Sequence, residues 1–377
     1  MTVALLLASA LLLFYTWAGY PALLWLLVRF HRVHRHKAAI TPRVSVIVAA
    51  RNEEKDIRAR VENLLSLDYP PEHIEIVIAS DGSTDRTAQW VREFADERVK
   101  LLAFAEARGR AAVHNDAVAA SSGEILVFTD AATRFDRAFL AELVANFADP
   151  RVGCVSGEIR FANREASSVT RPRSAYWRYE YWMRNCESAC GVSVCASGPC
   201  MAVRRGLFRP FARASYDVDF MTPLDVIAQG GLVLQEPAAR ATDQMFSAPG
   251  QEFRAQVRMV SRNLRGYLDR SCLVFLPGRP QFAWALISHK ILRWSTPFFL
   301  MVLFLSNAWL VGRGGWLALW MAQWAFYAAA AAGGLGLKIR RSASPFSVPY
   351  AFCLANAGFL FGVVRSLRGQ RITVYGN

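Results

Sequence analysis

Residues 44–53 have the sequence VSVIVAARNE, an apolar run that ends directly in three polar residues, Arg51, Asn52 and Glu53. Two later segments repeat this pattern: residues 74–83 are IEIVIASDGS, and residues 125–130 are ILVFTD. A short apolar run bounded by turn residues is typical of a strand that is buried on both faces of a parallel sheet. Ligands of open α/β sheets bind at the carboxyl ends of the strands, so the three polar ends predict one shared site.

Strands and helices alternate through the middle of the chain. The pattern predicts strands at 44–50, 74–79, 100–103 and 125–128, and helices at 54–67, 84–94, 111–120 and 139–147. In a βαβα order, right-handed crossovers place consecutive strands parallel to one another. We therefore expect an α/β domain with a mainly parallel sheet over residues 42–250.

Both ends of the chain are apolar. Hydrophobic residues make up 53% of the 377 residues, and the mean hydropathy of +0.18 indicates a membrane component. Residues 2–28 contain no charge and exceed the roughly 20 residues that cross a bilayer, so residues 1–30 predict a transmembrane helix rather than a cleaved signal peptide. Further apolar stretches at 294–311, 316–337 and 346–364 predict about three transmembrane helices within residues 294–364.

Basic residues follow the first and third apolar stretches, at positions 29, 32, 35 and 37 and at positions 338, 340 and 341. The positive-inside rule therefore predicts a cytoplasmic central domain. The arginines of the basic tail, residues 365–377, conflict with this because four full spans would place them outside. Either the last apolar segment is re-entrant or the count of spans is wrong. Between the domain and the later spans, residues 251–293 have the apolar and basic spacing of amphipathic helices at a membrane interface.

The formal net charge is +14 and the isoelectric point is about 9.8. The basic residues do not form a pattern with interleaved aromatic residues that is typical of DNA or RNA binding, so we expect no nucleic-acid partner. An anionic lipid surface or a phosphorylated substrate accounts for the charge better. The seven cysteines lack the paired short spacings of a zinc site, which favours reduced, buried thiols.

The segment Asp81-Gly82-Ser83-Thr84-Asp85 follows the second predicted strand and has the composition of a tight turn into a helix. Such a turn can hold a phosphate or the hydroxyl groups of a sugar. Together with Asn52-Glu53 and Asp130, it resembles the family 2 inverting glycosyltransferases, whose nucleotide-diphospho-sugar domain has the GT-A fold. The resemblance extends from about residue 44 to 270, and the flanking spans match membrane-bound members that build bacterial polysaccharides.

The resemblance implies a donor site at the strand ends. Arg51, Asn52 and Glu53 correspond to the first nucleotide-binding loop, and Asp81, followed by Gly82, corresponds to the acid that contacts uracil or another base. Gly109-Arg110 with Asn115 is similar to the family's Gly-Lys and Asn segment. Arginine replaces lysine here, and its planar guanidinium can still bind phosphate.

Asp130 and Ala131 match the start of the family's Asp-x-Asp motif, which binds Mg²⁺ or Mn²⁺ at the donor diphosphate. Ala132 occupies the place of the second acid, so Asp130 is the one predicted metal ligand. Hard divalent cations require oxygen ligands of this kind. Asp136 is a nearby alternative, although its spacing departs from the motif.

The resemblance also implies an acceptor side. Ser197 and Gly198 lie in a small-residue loop where an acceptor sugar approaches the backbone, and Asp219 corresponds to the general base of an inverting transfer. Val218 stands where the family has a first acid, which leaves Asp217 one position early, and Asp225 is a rival for the base. The helical segment with Trp177, Arg178, Tyr179, Glu180 and Trp182 either stacks on sugar rings or forms a contact between the domain and the membrane helices.

Arg258 and Arg262 fall where processive synthases carry a Gln-x-x-Arg-Trp motif that contacts the acceptor end and the diphosphate. Ala255 and Met259 replace the Gln and the Trp, which favours transfer of one sugar per acceptor. Arginines one helical turn apart can nevertheless face a diphosphate together.

The resemblance thus implies a multi-pass enzyme of a bacterial-type inner (plasma) membrane with a cytoplasmic catalytic domain. It would transfer sugar from a nucleotide diphosphate sugar, first of all a UDP-sugar, to a lipid-linked or growing glycan acceptor in contact with membrane lipids. The alternatives are a processive polysaccharide synthase and a catalytically degenerate scaffold subunit that binds nucleotide sugar.

Overall fold

An eight-stranded sheet forms the centre of the computed structural model, which describes residues 1–163, 170–213, 216–246, 248–269, 279–338 and 345–369. Its strands are β1 (Val44–Ala50), β2 (Ile74–Asp81), β3 (Val99–Phe104), β4 (Ile125–Thr129), β5 (Arg134–Phe135), β6 (Val152–Phe161), β7 (Met201–Arg204) and β8 (Leu232–Asp243). They lie in the order β3-β2-β1-β4-β7-β6-β8-β5.

The first half of the sheet is parallel, and the second half is mixed. β1 pairs in parallel with β2 and β4, and β2 pairs in parallel with β3. β7 runs antiparallel to β4 and β6, whereas β6 and β8 are parallel. The predicted α/β fold with a mainly parallel sheet is therefore confirmed, and the carboxyl ends of β1, β2 and β4 lie at one edge.

The helices are α1 (Thr2–Phe14), α2 (Tyr20–Phe30), α3 (Ile57–Leu65), α4 (Thr87–Arg92), α5 (Arg110–Ala119), α6 (Phe139–Val144), α7 (Thr170–Ala189), α8 (Val218–Ala228), α9 (Pro249–Asp269), α10 (Pro280–Leu286), α11 (Leu292–Leu310), α12 (Leu317–Lys338) and α13 (Ser347–Leu367). Two of them begin later than their pattern predicts. α3 starts at Ile57 instead of residue 54, and α4 starts at Thr87 instead of residue 84. Side-chain hydrogen bonds between the two preceding loops hold these residues outside the helices.

Both faces of the sheet are buried under helices, as the uninterrupted apolar strands require. Ile47, Val77 and Phe128 point into one apolar cluster, and Val48, Ile76 and Val127 point into the other. Burying a Val, Ile or Phe side chain stabilises a fold by about 1.5–3 kcal/mol. These paired clusters therefore fix the strand ends that carry the polar loops.

Three described helices are long and apolar enough to cross a membrane: Thr2–Phe30, Pro280–Leu310 and Ser347–Leu367. The first two are continuous because short π-helical turns at Tyr15–Gly19 and Ile287–Ile291 join their halves. The sequence pattern predicts four spans and divides interface helices from spans at residues 293 and 294. That boundary falls inside Pro280–Leu310, where neither glycine nor proline interrupts residues 281–296.

The remaining predicted span, at residues 316–337, forms the 22-residue helix α12, which is not among these three candidates. It includes Gln323, whose side-chain oxygen accepts a 2.8 Å hydrogen bond from Asn307 of α11, and its glycines add little apolar surface. The predicted basic residues 340, 341 and 371 lie outside the described residues, as do residues 370–377 of the predicted tail.

The first of the helices predicted within residues 251–293 forms as α9, and it packs along α13 through small residues. A Cβ atom added to Gly358 would lie 2.6 Å from Cβ of Gln256, and one added to Gly362 would lie 2.7 Å from Cβ of Val260. Such close backbone approach requires glycine. The last candidate span is therefore held against the segment that follows the α/β domain.

Replacing Gly362 with alanine should separate α9 from α13. Overpacking of this kind costs about 1–3 kcal/mol, which exceeds the gain of roughly 1 kcal/mol in helix propensity. We expect a fall of a few degrees in the thermal midpoint in detergent. Gly336→Ala in α12 is the matched control, because no atom of the described residues lies within 4 Å of its added Cβ, and its midpoint should not fall. Equal midpoints for the two variants would contradict this packing.

Candidate functional site

The loops after β1 and β2 are joined by hydrogen bonds. Asn52 has a left-handed backbone, with φ of 56°, and its side-chain oxygen accepts a 2.9 Å bond from the Thr84 N–H. The Glu53 N–H donates to Thr87 Oγ1 at 2.8 Å. The structure thus brings the predicted nucleotide-binding residues at 51–53 and 81–85 into one unit at the edge of the sheet. Arg51 lies in this unit, half-buried.

Asp81 holds the loop before α5. Its buried carboxylate accepts hydrogen bonds from the backbone N–H groups of Arg108, at 2.5 Å, and Gly109, at 3.0 Å. Gly109 has φ of 90°, and Gly82 has φ of 60° with the chain at Ala107 too close for a Cβ. Asp81 therefore fixes the turn that begins α5. Its predicted contact with a base stays a prediction.

Arg110, the first residue of α5, links the two halves of the predicted site. Its guanidinium forms an ion pair with Asp130, which directly follows β4. The Arg110 side chain is 26% exposed and the Asp130 side chain is 32% exposed. Arg110 also lies close enough to Asp219 to oppose the rise of its pKa. The predicted donor acid and the predicted base thus share one arginine. Asn115, by contrast, binds the Phe211 backbone through both its amide oxygen and its nitrogen.

Asp219 lies in the first turn of α8, directly against the predicted acceptor loop. Burial and the neighbouring Asp217 carboxylate raise the pKa of Asp219 to about 7, although Arg110 acts in the opposite direction. A Cβ on Gly198 would lie 3.3 Å from Asp219 Oδ2. The adjoining Ser197 is held by its N–H, which donates to Ser156 Oγ at 3.0 Å. Asp219, Ser197 and Gly198 therefore form one surface.

A second acid stands near Asp130, and the sequence patterns missed it. Asp243 ends β8, where its carboxylate accepts bonds from Thr133 Oγ1 at 2.9 Å and from the Gln244 N–H at 2.7 Å. Burial and the nearby Asp130 raise the pKa of Asp243. One signal could have found it: β8 ends in Ala-Thr-Asp, much as β4 ends in Phe-Thr-Asp.

Glu53 completes this acidic group from the β1 side. Burial first, and then the carboxylates of Asp56, Asp130 and Asp85, raise the pKa of Glu53 to about 7. Behind the group, the fully buried Arg60 donates a 2.7 Å hydrogen bond to Thr129 Oγ1, and burial lowers the pKa of Arg60 to about 9. Arg60 therefore fixes the end of β4 by a hydrogen bond to Thr129, and the sequence patterns did not identify this arginine.

The oxygen ligands at this edge fit a hard divalent cation. Asp130 is about one-third exposed, and Asp243 is close enough for the Asp130 charge to raise its pKa, whereas Ala131 is buried and Ala132 has no side-chain ligand atom. Carboxylate oxygens are the ligands that Mg²⁺ and Mn²⁺ prefer. Asp136, the alternative suggested by the sequence, is exposed and its N–H pairs with the Arg240 carbonyl.

Arg258 and Arg262 are half-buried on α9, one turn apart. α9 contacts α8, because a Cβ on Gly266 would lie 2.5 Å from Sδ of Met221. The two arginines therefore stand on a helix that touches the helix of Asp219. Their contact with a diphosphate stays a prediction.

The Glycosyl transferase family 2 profile matches residues 45–211. An N-acetylglucosaminyltransferase of Azorhizobium caulinodans is 31% identical over 180 residues, which are 45% of this chain and 44% of that protein. A beta-monoglucosyldiacylglycerol synthase of a Nostoc species is 30% identical over 154 residues, which are 40% of this chain and 33% of that protein. The matches thus span less than half the length of these relatives.

Among solved structures, a mannosyltransferase from Pyrobaculum calidifontis, in complex with GDP-mannose and Mn²⁺, superposes with a TM-score of 0.75 at 22% identity. The likeness covers 98% of this chain and all of that one, which shows a shared fold that includes the terminal helices. Residues 45–211 therefore match the glycosyltransferase family 2 domain, and the α/β domain has the GT-A fold.

Proposed function

We propose that this chain is a membrane-bound inverting glycosyltransferase that transfers a sugar from a nucleotide diphosphate sugar to a lipid-linked or growing glycan acceptor. One observation carries the proposal: Arg110 pairs with Asp130 and also lies beside Asp219, whose pKa is raised to about 7. This arrangement puts the positive guanidinium of Arg110, which can bind a leaving diphosphate, close to a carboxylate that can exchange a proton near neutral pH.

The donor side is supported by the loops at residues 51–53 and 81–85 and by the start of α5. Backbone N–H groups at a helix start, together with a guanidinium fork, favour phosphate. Arg110 is held by Asp130 and would instead pair with the diphosphate as negative charge develops there. When bound, Mg²⁺ or Mn²⁺ would be held by Asp130 and Asp243 and would supply charge neutralisation for the leaving group.

The acceptor side is supported by Asp219 and the loop in contact with it. In a single in-line displacement the acceptor hydroxyl loses its proton as it attacks the anomeric carbon, and a carboxylate must take that proton. A raised pKa makes Asp219 a stronger base than an exposed aspartate. Asp225 is less suited because it lies further along α8 and is 3% exposed, whereas Asp219 lies in the first turn and is partly exposed.

The apolar helices support an acceptor at a membrane surface. One relative is named for a glucosyl diacylglycerol product and another, from Staphylococcus epidermidis, for poly-beta-1,6-N-acetyl-D-glucosamine, so both lipid and glycan acceptors occur among proteins similar to this chain. We propose a multi-pass protein of a bacterial-type inner membrane, with the α/β domain in the cytoplasm beside the basic residues that follow α2. A UDP-sugar is the first donor to test.

Asp219→Asn should lower kcat by about 10²- to 10⁴-fold, the usual contribution of a general base, while donor binding is retained. Turnover of a panel of nucleotide sugars and thermal stabilisation by UDP with Mn²⁺ measure the two effects separately. Asp225→Asn is the control on the same helix. Full turnover by Asp219→Asn would remove the assignment of the base, and no turnover by the unaltered protein with any donor would favour a scaffold.

The pH profile should report Asp219. Because its pKa is raised to about 7, the base is protonated below that pH and kcat/KM should fall with a slope near one as the pH drops through 7. Asp217→Asn removes a carboxylate that raises this pKa, so the acidic limb should move to lower pH. Glu53→Gln, which removes the other group near 7, should leave the limb in place. A limb that moves only in Glu53→Gln would assign it to Glu53 instead.

Two carboxylates should hold the metal. In a titration followed by the electron paramagnetic resonance of Mn²⁺, with UDP present, we expect Asp130→Asn and Asp243→Asn each to weaken Mn²⁺ binding by tenfold or more. Asp136→Asn should bind Mn²⁺ as the unaltered protein does. Unchanged Mn²⁺ affinity in Asp243→Asn would leave Asp130 as the one protein ligand from this pair.

A further inference from the structure

A cavity of about 250 Å³ lies between the end of β6 and one face of α7. Three aromatic side chains of α7, Trp177, Tyr181 and Trp182, line it together with Glu158 of β6 and Arg178 and Asn185 of α7. The volume is just below the roughly 300 Å³ at which pockets for drug-sized ligands begin, so one ring of six heavy atoms and its substituents suits it better than a lipid chain.

The lining suits the two sides of a sugar ring. A pyranose has an apolar face of C–H groups, which packs on aromatic rings, and a rim of hydroxyl groups, which need charged or polar partners. Trp182 is 41% exposed although it is large and apolar, so its indole is available to a ligand. Carboxylate, guanidinium and amide groups on the other walls supply both hydrogen-bond donors and acceptors.

Two polar atoms at this wall have no hydrogen-bond partner among the described residues: Nε1 of Trp177 and Oδ1 of Asn185. Buried polar atoms are usually paired, and each unpaired one costs about 1–3 kcal/mol. A small shift of these two side chains on binding a hydroxylated ligand would pair them. A purely apolar ligand could not form hydrogen bonds with these two atoms and would leave both of them unpaired.

The cavity is connected to the proposed acceptor loop by Arg184. Its guanidinium lies 5.8 Å from the ring centres of Trp177 and Tyr181, and it donates a 2.9 Å hydrogen bond to Ser197 Oγ. Ser197 precedes Gly198, which packs against Asp219. One buried arginine therefore holds both the aromatic wall and the loop beside the proposed base.

On its other side the cavity adjoins the first candidate span. The ring of Trp182 packs on Tyr179 at 6.4 Å, and Tyr179 stacks on Trp17 at 6.5 Å and donates to the Trp17 carbonyl at 3.0 Å. One face of α7 thus contacts the terminal helices, and another face lines the cavity. Tyr179 and Glu180 contact the terminal helices, and Trp177, Arg178 and Trp182 face the cavity.

We propose that this cavity is a subsite for one sugar ring of the acceptor, next to the ring whose hydroxyl reaches Asp219. The inference rests on the proposed transferase function and adds to it that the acceptor already carries a carbohydrate. Such a ring belongs either to a glycolipid headgroup or to the end of a soluble glycan, and both present the same chemistry to the cavity.

Binding of simple glycosides tests the subsite without turnover. The full chain is purified in a detergent that has no sugar headgroup, and methyl glycosides of glucose, mannose and N-acetylglucosamine are titrated while tryptophan fluorescence is followed. We expect saturable binding that Trp182→Ala weakens about five- to tenfold, the range for loss of an aromatic contact. Trp182→Phe should keep most of it, and Glu158→Gln should weaken it.

Trp309→Ala, at a tryptophan of α11 that is 67% exposed, is the matched control and should bind like the unaltered protein. A second arm presents glucosyl diacylglycerol in nanodiscs: tighter binding there than of the methyl glycosides identifies a glycolipid source, and equal binding identifies a soluble glycan. Stabilisation by UDP with Mn²⁺ should be the same in all variants.

No saturable binding of any glycoside in either arm, or equal weakening by Trp182→Ala and Trp309→Ala, overturns the subsite. If UDP-sugar turnover is intact in that case, the transferase function stands and the subsite alone is wrong. If glycosides bind at Trp182 but no donor is turned over, the cavity is a sugar-binding site, but the transferase function and the acceptor role of the cavity are both wrong.

Discussion

The site depends on where Arg110 is held. Asp81 accepts hydrogen bonds from two backbone N–H groups of the loop before α5. These bonds fix the turn at Gly109, after which Arg110 begins the helix. From there one guanidinium reaches Asp130 of β4 and lies near Asp219 of α8. An ion pair between partly buried groups gains more than an exposed one, and its arginine cannot lose its charge at physiological pH. Two acids from distant parts of the chain are therefore kept in one site.

A second set of charges ties this site to the terminal helices. Burial alone would raise the pKa of Glu180, but His289, Lys290, Arg293 and Arg184 around it hold that pKa well below its ordinary value. His289 also reaches Glu187, which accepts a 2.6 Å hydrogen bond from Tyr20 of α2. Removing one partner from such a buried group costs about 3–5 kcal/mol, because it leaves a charge without compensation. Since Arg184 also binds Ser197, the same charge cluster contacts both α11 and the proposed acceptor loop.

The strands followed from the sequence because burial on both faces leaves an uninterrupted apolar signal. β1 was predicted to the residue, and β2 and β4 extend beyond their predicted ends by two residues and one. The starts of α3 and α4 were not predictable from local pattern, because partners about 31 to 34 residues away, such as Thr87 for the Glu53 N–H, set them. Asp243 was missed for a related reason: β8 joins the sheet through β6 and β5, and its Thr-Asp ending does not by itself indicate that it lies near the end of β4.

Ala132 therefore removes an acid from the motif along the chain without leaving Asp130 as the one acid at this edge of the sheet. In sequence it removes the second acid of a two-acid motif and leaves Asp130 isolated. In the fold, β8 returns to the same edge and delivers Asp243 beside Asp130, each of them on a strand end followed by a turn. In the proposed metal site the two carboxylates come from different strands, so the distance between them depends on the register of the sheet. A shift of β8 against β6 would therefore alter the pair. The bulges between Val152 and Glu158 of β6 set that register.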